Sequence, residues 1–372
     1  VPNVNERLLD RAIDHAHDLQ RYANGVVRRI IALLNRADAD LVARIAEALT
    51  RIEPAEATIE RLEAILSSVR ALNADAYRIA YGALPGEMEA LAGYEADWQV
   101  RTLQAAIPAD ARALIVFNRV APAQAYAAAL SRPFQGGLLR DWQASGETGR
   151  MKAVRDAIRL GFLEGKTTDE IIRGIRGTRA KQYKDGLLDR SRRSVETMVR
   201  TALSHTAATA RDEVYRGNSD VIKAVRWVAT LDSRTSPMCR VRDGLRYTAD
   251  EAHKPIDHKV PWLQGPGRLH FGCRSVSVPV TRSFRELGLD IDEISPATRA
   301  SMDGQVPADL TYSEWLGRQS AARQDEILGP ERGRLIRQGG LSPDQLYSPR
   351  GDFLTLDQLR ERDASAFRRA GL

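Results

Sequence analysis

Cysteine is nearly absent from this chain, with two in 372 residues, Cys239 and Cys273. That excludes a disulfide framework. Aromatic residues make up only 6%, while Ala, Leu and Arg are abundant, a balance that favours helix over sheet. No apolar run approaches the length that spans a bilayer. No internal repeat or low-complexity segment is visible. The opening VPNVNERLLDRAIDHAHDL reads as polar helix, not as a secretory signal. The expectation is therefore a protein made and assembled in a reducing cytoplasm. Common enzyme signatures are missing as well: no P-loop with its Lys-Ser/Thr ending, no nucleophile elbow, no His-Glu-x-x-His.

What remains is a globular composition, 43% hydrophobic and 28% charged, with length enough for two or three structural units. The formal net charge is +6, which suits an anionic partner such as nucleic acid. The excess is local. In RGIRGTRAKQYKDGLLDRSRR, eight cations (Arg173, Arg176, Arg179, Lys181, Lys184, Arg190, Arg192 and Arg193) outnumber Asp185 and Asp189. Such a stretch can neutralise phosphates without reading sequence. Its one aromatic, Tyr183, gives little support for base stacking.

Helical periodicity dominates residues 5 to about 130. RLLDRAIDHAHDLQRYANGVVRRIIALLNR places Leu8, Leu9, Ile13, Leu19, Val26, Val27, Ile30, Ile31 and Leu34 at helical spacing. DADLVARIAEALTRI and PAEATIERLEAILSSVRALN follow as further helices, the latter with Pro54 and Glu56 in its opening turn. His15 and His17 lie two apart and share no helix face, so both read as solvated. Residues 131–150, with Pro133 and the glycines at 136, 137, 146 and 149, read as a boundary or exposed connection. Two short helices are expected over 151–176, punctuated by Gly161 and Gly165 and capped by Thr167 or Thr168. In the next helix Val195, Met198, Ala202, His205 and Thr209 form one stripe, which turns His205 inward.

After Asn218 the period changes to that of strands in VIKAVRWVATLD, GLRYTA and CRSVSVPV. The tail returns to short helical units, SPATRASMDGQVP among them. The fold class is thus α+β and mostly α-helical. Three segments are expected: long N-terminal helices over 1–150, a small α+β module with a short antiparallel sheet over 151–283, and short C-terminal helices over 284–372.

The module holds both cysteines, in TLDSRTSPMCRVRDG and RLHFGCRSVSVPV, and three readings of this pair stand open. Cys239, His270 and Cys273, with His205, His253, His258 or Asp232 as a fourth donor, would suit zinc. Alternatively the stretch is a structural clasp. Asp232 would accept backbone N–H groups and cap the turn around Ser233 to Ser236, Thr235 included, Arg234 or Arg274 would pair with Asp232 or Asp243, Asp243-Gly244 would turn between two strands, and the cysteines would be buried apolar groups, with a Cys239–Cys273 disulfide as a variant. Third, a cysteine nucleophile with His205 or His270 as base, or a metal-dependent nuclease, would make it catalytic.

The ordered set IRGT, VRTALSHTAATARDEVY, VRWVATLDSRTSPMCRVRDGLRY and LHFGCRSVSVPV resembles the phage head morphogenesis family, typified by Mu F-like minor head proteins and related to SPP1-type minor capsid proteins. The matching positions are Arg200-Thr201, Ala210-Arg211 and Glu213, Trp227, Leu231 to Cys239, Asp243-Gly244, His270 to Arg274, and Pro279. Many relatives carry a further Cys after the Cys-Arg pair, where this chain has Ser275. The tail resembles the C-terminal extension of one branch of the family. The resemblance implies a non-enzymatic minor head protein that associates with the portal and major capsid protein during assembly in the host cytoplasm, resides in the virion in a few copies, and contacts double-stranded DNA. A metal-dependent hydrolase acting on DNA is the alternative, and a host-chromatin binding module a weaker one.

Overall fold

The computed structural model describes residues 4–52, 58–288, 298–302, 304–307 and 309–372. The expected helix start at Pro54 and Glu56 lies outside them. In chain order the helices before the sheet are α1 (Val4–Leu49), α2 (Ile59–Ile65), α3 (Ser67–Gly82), α4 (Leu84–Ala106), α5 (Ala109–Arg112), α6 (Pro122–Ser131), α7 (Leu139–Leu163), α8 (Thr168–Arg176) and α9 (Leu187–Gly217). Strand β1 (Ile222–Val228), the single turn α10 (Pro237–Arg240), β2 (Arg246–Thr248), β3 (Pro255–Ile256) and β4 (Val276–Thr281) follow. Then come β5 (Thr298–Ser301), β6 (Gly304–Pro307), α11 (Tyr312–Gly317), α12 (Ala321–Leu328), α13 (Pro330–Arg337), α14 (Leu356–Arg362) and α15 (Ala364–Ala370). The chain is mostly helical, with a small four-stranded antiparallel sheet in the order β3-β2-β1-β4.

Two compact units interleave along the sequence. One comprises residues 1–19, 92–128 and 207–372, the other 20–91 and 129–206. Each of the segments 1–150 and 151–283 therefore contributes to both, while 284–372 lies wholly in the first.

The first unit is built around β1. Its register sets Val225 opposite Tyr247 on β2 and Pro279 on β4. Pro279 is tolerated because β4 is an edge strand, where a missing N–H leaves no ladder bond unmade. Trp227 is fully buried and meets Trp262 edge-on with centroids 5.3 Å apart; Tyr247 meets the same Trp262 at 4.9 Å. These rings join residues of α1, α4 and α9 in one core. A second cluster gathers Leu231, Tyr312, Trp315, Leu335, Leu346 and Phe367 under the short C-terminal helices. Those helices start at residues that satisfy their own first N–H groups: Thr311 with Glu314, Thr355 with Gln358, and Asp363 alone.

The second unit packs α2, α3, α7 and α8 around Leu62, Val69, Val154, Ile158, Ile171 and Ile175. A buried carboxylate organises part of it. Asp38 accepts from Arg150 and, at 3.0 Å, from Arg192, while the Arg150 guanidinium lies over the Tyr77 ring at 5.8 Å.

Several sequence expectations are corrected. The first two N-terminal helical runs are one continuous α1, and the third divides into α2 and α3. Residues 139–150, expected in a connection, open α7. Gly146 belongs in that helix because a side chain there would press on the Tyr77 ring, 3.3 Å from a built Cβ. Within SPATRASMDGQVP, Thr298–Ser301 and Gly304–Pro307 pair as β5 and β6, with Ser301 opposite Gly304 at φ +105°, a conformation that glycine adopts readily. Pro255 and Ile256, outside the three expected strands, pair with β2.

His15 is not solvated. It is buried, stacked on Trp98 at 3.7 Å, and bonded to Glu95 at 2.6 Å. Glu95 in turn accepts from Arg211 and Gln99, each at 2.7 Å, and Gln99 accepts from Tyr215 at 3.0 Å. Burial pushes the Glu95 carboxyl up, but Arg211, His15 and Gln99 together outweigh it and hold it at about 2.

Candidate functional site

Two local geometries bring Cys239, His270 and Cys273 together. On one side, Ser236 caps α10 with Pro237 at its first position, and the Ser236 hydroxyl accepts the Cys239 N–H at 3.3 Å. On the other, His270-Phe271-Gly272-Cys273 is a tight turn in which the His270 carbonyl accepts the Cys273 N–H at 3.1 Å. Gly272 sits at φ +67°, where a side chain would be strained. Sγ of Cys239 lies 3.7 Å from Sγ of Cys273 and 3.4 Å from Nε2 of His270. All three donor atoms lie within 4.8 Å of one another.

Both cysteines are buried and are not joined in a disulfide. The hydrogen bond from Cys239 and then the imidazole of His270 pull the Cys273 thiol well below its ordinary value, against the opposing effect of burial. Cys239 moves up, because it supplies that bond and because it is buried. The bond to Cys273 raises His270 in turn, with burial opposing.

The remaining candidate ligands lie elsewhere. His205 belongs to the other compact unit, where its Nε2 meets the Ala129 carbonyl at 3.0 Å and its ring tilts against Phe134. His253 is stacked on Trp262 at 4.4 Å. His258 bonds the Arg246 carbonyl at 2.8 Å. Asp232 faces a guanidinium.

Beside the thiols stands an ion-pair clasp. Arg274 grips Asp232 with two parallel bonds of 2.5 and 2.8 Å, a bidentate geometry that fixes orientation as well as charge. Thr235 donates to Asp232 at 3.0 Å and to the Thr230 carbonyl at 2.5 Å, and the Arg234 N–H donates to Asp232 at 3.1 Å. Burial would raise the Asp232 carboxyl, but these donors, Arg274 foremost, hold it below the usual carboxylate value. The Arg234 side chain is 82% exposed and only 3.8 Å from Asp232, so Arg274 is the partner that matters.

Asp243 pairs with backbone. It accepts the N–H groups of Ala229 and Tyr312, both at 2.7 Å. Gly244, at φ +81°, leads the chain from α10 into β2 within the connection between the antiparallel strands β1 and β2, and its N–H donates to the Trp227 carbonyl at 2.9 Å. The Tyr312 hydroxyl donates to the Asp232 carbonyl at 2.8 Å, and Arg240 reaches from α10 to the Ile327 carbonyl at 3.2 Å. No sequence signal pointed to Tyr312, because its partners are 69 and 80 residues away.

The basic stretch lies in the other unit. Arg173, Arg176, Arg179, Lys181, Lys184, Arg190 and Arg193 are exposed. Arg192 is not: its guanidinium is drawn to Asp38. The loop between α8 and α9 is rigidly built. Asp185 accepts the N–H and hydroxyl of Thr178, both at 2.8 Å, which lowers its carboxyl below the ordinary value. Gln182 and Tyr183 adopt positive φ, and Arg176 lies over the Tyr183 ring at 5.7 Å. A Cβ on Gly186 would meet the Arg176 carbonyl carbon at 2.4 Å, so only glycine fits.

The comparison with known families falls on these same elements. Residues 152–278, about a third of the chain, match the family described as phage Mu protein F like protein. The segment contains the basic loop, β1, the Asp232–Arg274 clasp and all three sulfur and imidazole donors. No curated protein and no solved structure matches the chain.

Proposed function

We propose that this protein is a non-enzymatic minor head component that associates with the portal and major capsid protein during assembly, resides in the virion, and faces packaged double-stranded DNA through the loop between α8 and α9. The observation that supports this reading is the loop itself. Arg179, Lys181 and Lys184 project from a segment whose backbone is fixed by the Thr178–Asp185 bonds and Gly186, and none of the three forms an ion pair among the described residues. Its acidic neighbours are occupied, Asp185 by Thr178 and Asp189 by Arg193. Cations held ready on a stiff loop lose little side-chain and backbone freedom on meeting phosphates, and their effect is independent of sequence. The short C-terminal helices and the N-terminal helices would supply the docking faces for portal and capsid.

The test is binding of purified protein to duplex DNA across a salt series. The expected result is a log–log salt slope that falls by about 0.9 for each loop cation reversed to glutamate. Salt-independent binding, or no binding, would remove DNA from the reading. Co-purification with the portal protein tests the assembly half separately.

A further inference from the structure

The geometry points to a structural zinc site formed by Sγ of Cys239, Sγ of Cys273 and Nε2 of His270. Separation is the first support. A tetrahedral zinc with bonds of about 2.3 Å to sulfur and about 2.0 Å to nitrogen places two sulfurs about 3.8 Å apart, and sulfur and nitrogen about 3.5 Å apart. The donors stand 3.7 and 3.4 Å apart. Two sulfurs at 3.7 Å are far outside the bond of about 2.0 Å of a disulfide.

Ring orientation is the second support. Nδ1 of His270 lies 3.0 Å from the Phe271 carbonyl. A proton on Nδ1 donates to that carbonyl and leaves Nε2 unprotonated, facing the Ser236 hydroxyl at 2.8 Å and Sγ of Cys239 at 3.4 Å, as in metal-bound histidines whose other nitrogen is anchored to backbone. The donor set is the third. Two thiolates would cancel the charge of a divalent ion, and sulfur with imidazole favours zinc over magnesium or calcium.

The cleft decides the role. It is lined by Thr230, Ser236, Arg274 and Ser275 beside Cys239 and His270, and its volume is about 20 Å³, room for one water and no substrate. A water there, next to the Ser236 hydroxyl, would supply the fourth donor. Arg274 is held by Asp232 and does not compete for the thiolates. The ion thereby fastens α10 to the turn that leads into β4, beside the Asp232–Arg274 clasp that joins the same two stretches. The site does not depend on the proposed role in the phage head.

Metal analysis of the purified full chain tests this. The expected result is about one zinc per chain, retained through gel filtration. Cys239→Ser, Cys273→Ser and His270→Ala should each bring it to background, while His17→Ala, at an exposed position, keeps it. Should the cysteine variants fail to fold, cobalt added to metal-stripped wild type gives the readout: thiolate-to-cobalt charge transfer with intense tetrahedral visible bands. Folded wild type that neither carries zinc nor takes up cobalt with these bands overturns the site. So does full zinc occupancy in the Cys239→Ser/Cys273→Ser double variant.

Discussion

The carboxylate of Asp243 accepts the backbone N–H of Tyr312 at 2.7 Å. Its other oxygen takes the Ala229 N–H just past the end of β1, also at 2.7 Å. One buried side chain thus ties the first turn of a C-terminal helix to the sheet of the central module. Charge-assisted bonds of this kind contribute about 1.5–3 kcal/mol each, and an orphaned buried N–H adds a penalty. Asp243→Ala should therefore lower unfolding free energy by about 2–4 kcal/mol in urea melts. Arg234→Ala, beside the same turn but exposed, should change it by less than about 0.5 kcal/mol. An Asp243→Ala effect as small as that of Arg234→Ala would mean the latch contributes nothing.

Glu95 makes the first unit's stability depend on acid. Its carboxyl titrates at about 2 in the folded chain, against 4.5 as its ordinary value. Between those values the unfolded chain binds the proton and the folded chain does not, so folding is favoured as pH rises. The contribution is complete above about 4.5 and fades as pH falls toward 2, a total on the order of 3 kcal/mol. Urea melts at pH 5.5 and pH 3 should show this loss in the wild type, and Glu95→Gln should flatten it. The same variant should cost about 3–5 kcal/mol at neutral pH, because Arg211 is left buried without its counter-charge. Equal pH slopes in the two proteins would count against this account.

Gly186 tests whether the basic loop acts through its shape. Gly186→Ala would drive a methyl group into the Arg176 carbonyl. Overpacking of this kind costs about 1–3 kcal/mol. DNA affinity should fall although no charge has changed, and protease cleavage between Arg179 and Lys184 should accelerate. Unchanged affinity would show that the charges suffice without the fixed loop.

How much of this was legible depends on the range of the interaction. The strands around Trp227, the cap at Thr167 and the inward stripe bearing His205 are local patterns, and period and capping chemistry revealed them. Asp232 with Arg274 was one of several pairings left open, since residue type suggests a partner but does not choose it. His15 was misread because its burial comes from Glu95 and Trp98, 80 or more residues distant and invisible to helical periodicity. Gly146 and Gly149 looked like breakers because a sequence shows their propensity, not the Tyr77 ring that packs over one of them. Cys239, His270 and Cys273 were read together from their spacing, whereas the fourth donor among His205, His253, His258 and Asp232 stayed open, because residue type does not show that each of these is engaged by another group.

Arg192 and Lys184, both counted as basic surface by sequence, should separate cleanly in experiment. Arg192 has an 18% exposed side chain and bonds Asp38, which Arg150 also grips from a buried position. Reversal to glutamate there would set two carboxylates against each other beside a single remaining guanidinium. Arg192→Glu should cost about 2–4 kcal/mol in unfolding free energy, by the reasoning for a broken, largely buried pair. Lys184→Glu, on the exposed loop, should leave stability within about 0.5 kcal/mol. DNA binding should show the reverse order once both proteins are confirmed folded by circular dichroism. Lys184→Glu lowers the salt slope by about 0.9, and Arg192→Glu leaves it near the wild-type value. If Arg192→Glu shifted the slope as much as Lys184→Glu while remaining stable, Arg192 would be a phosphate contact, and its bond to Asp38 would not hold in solution.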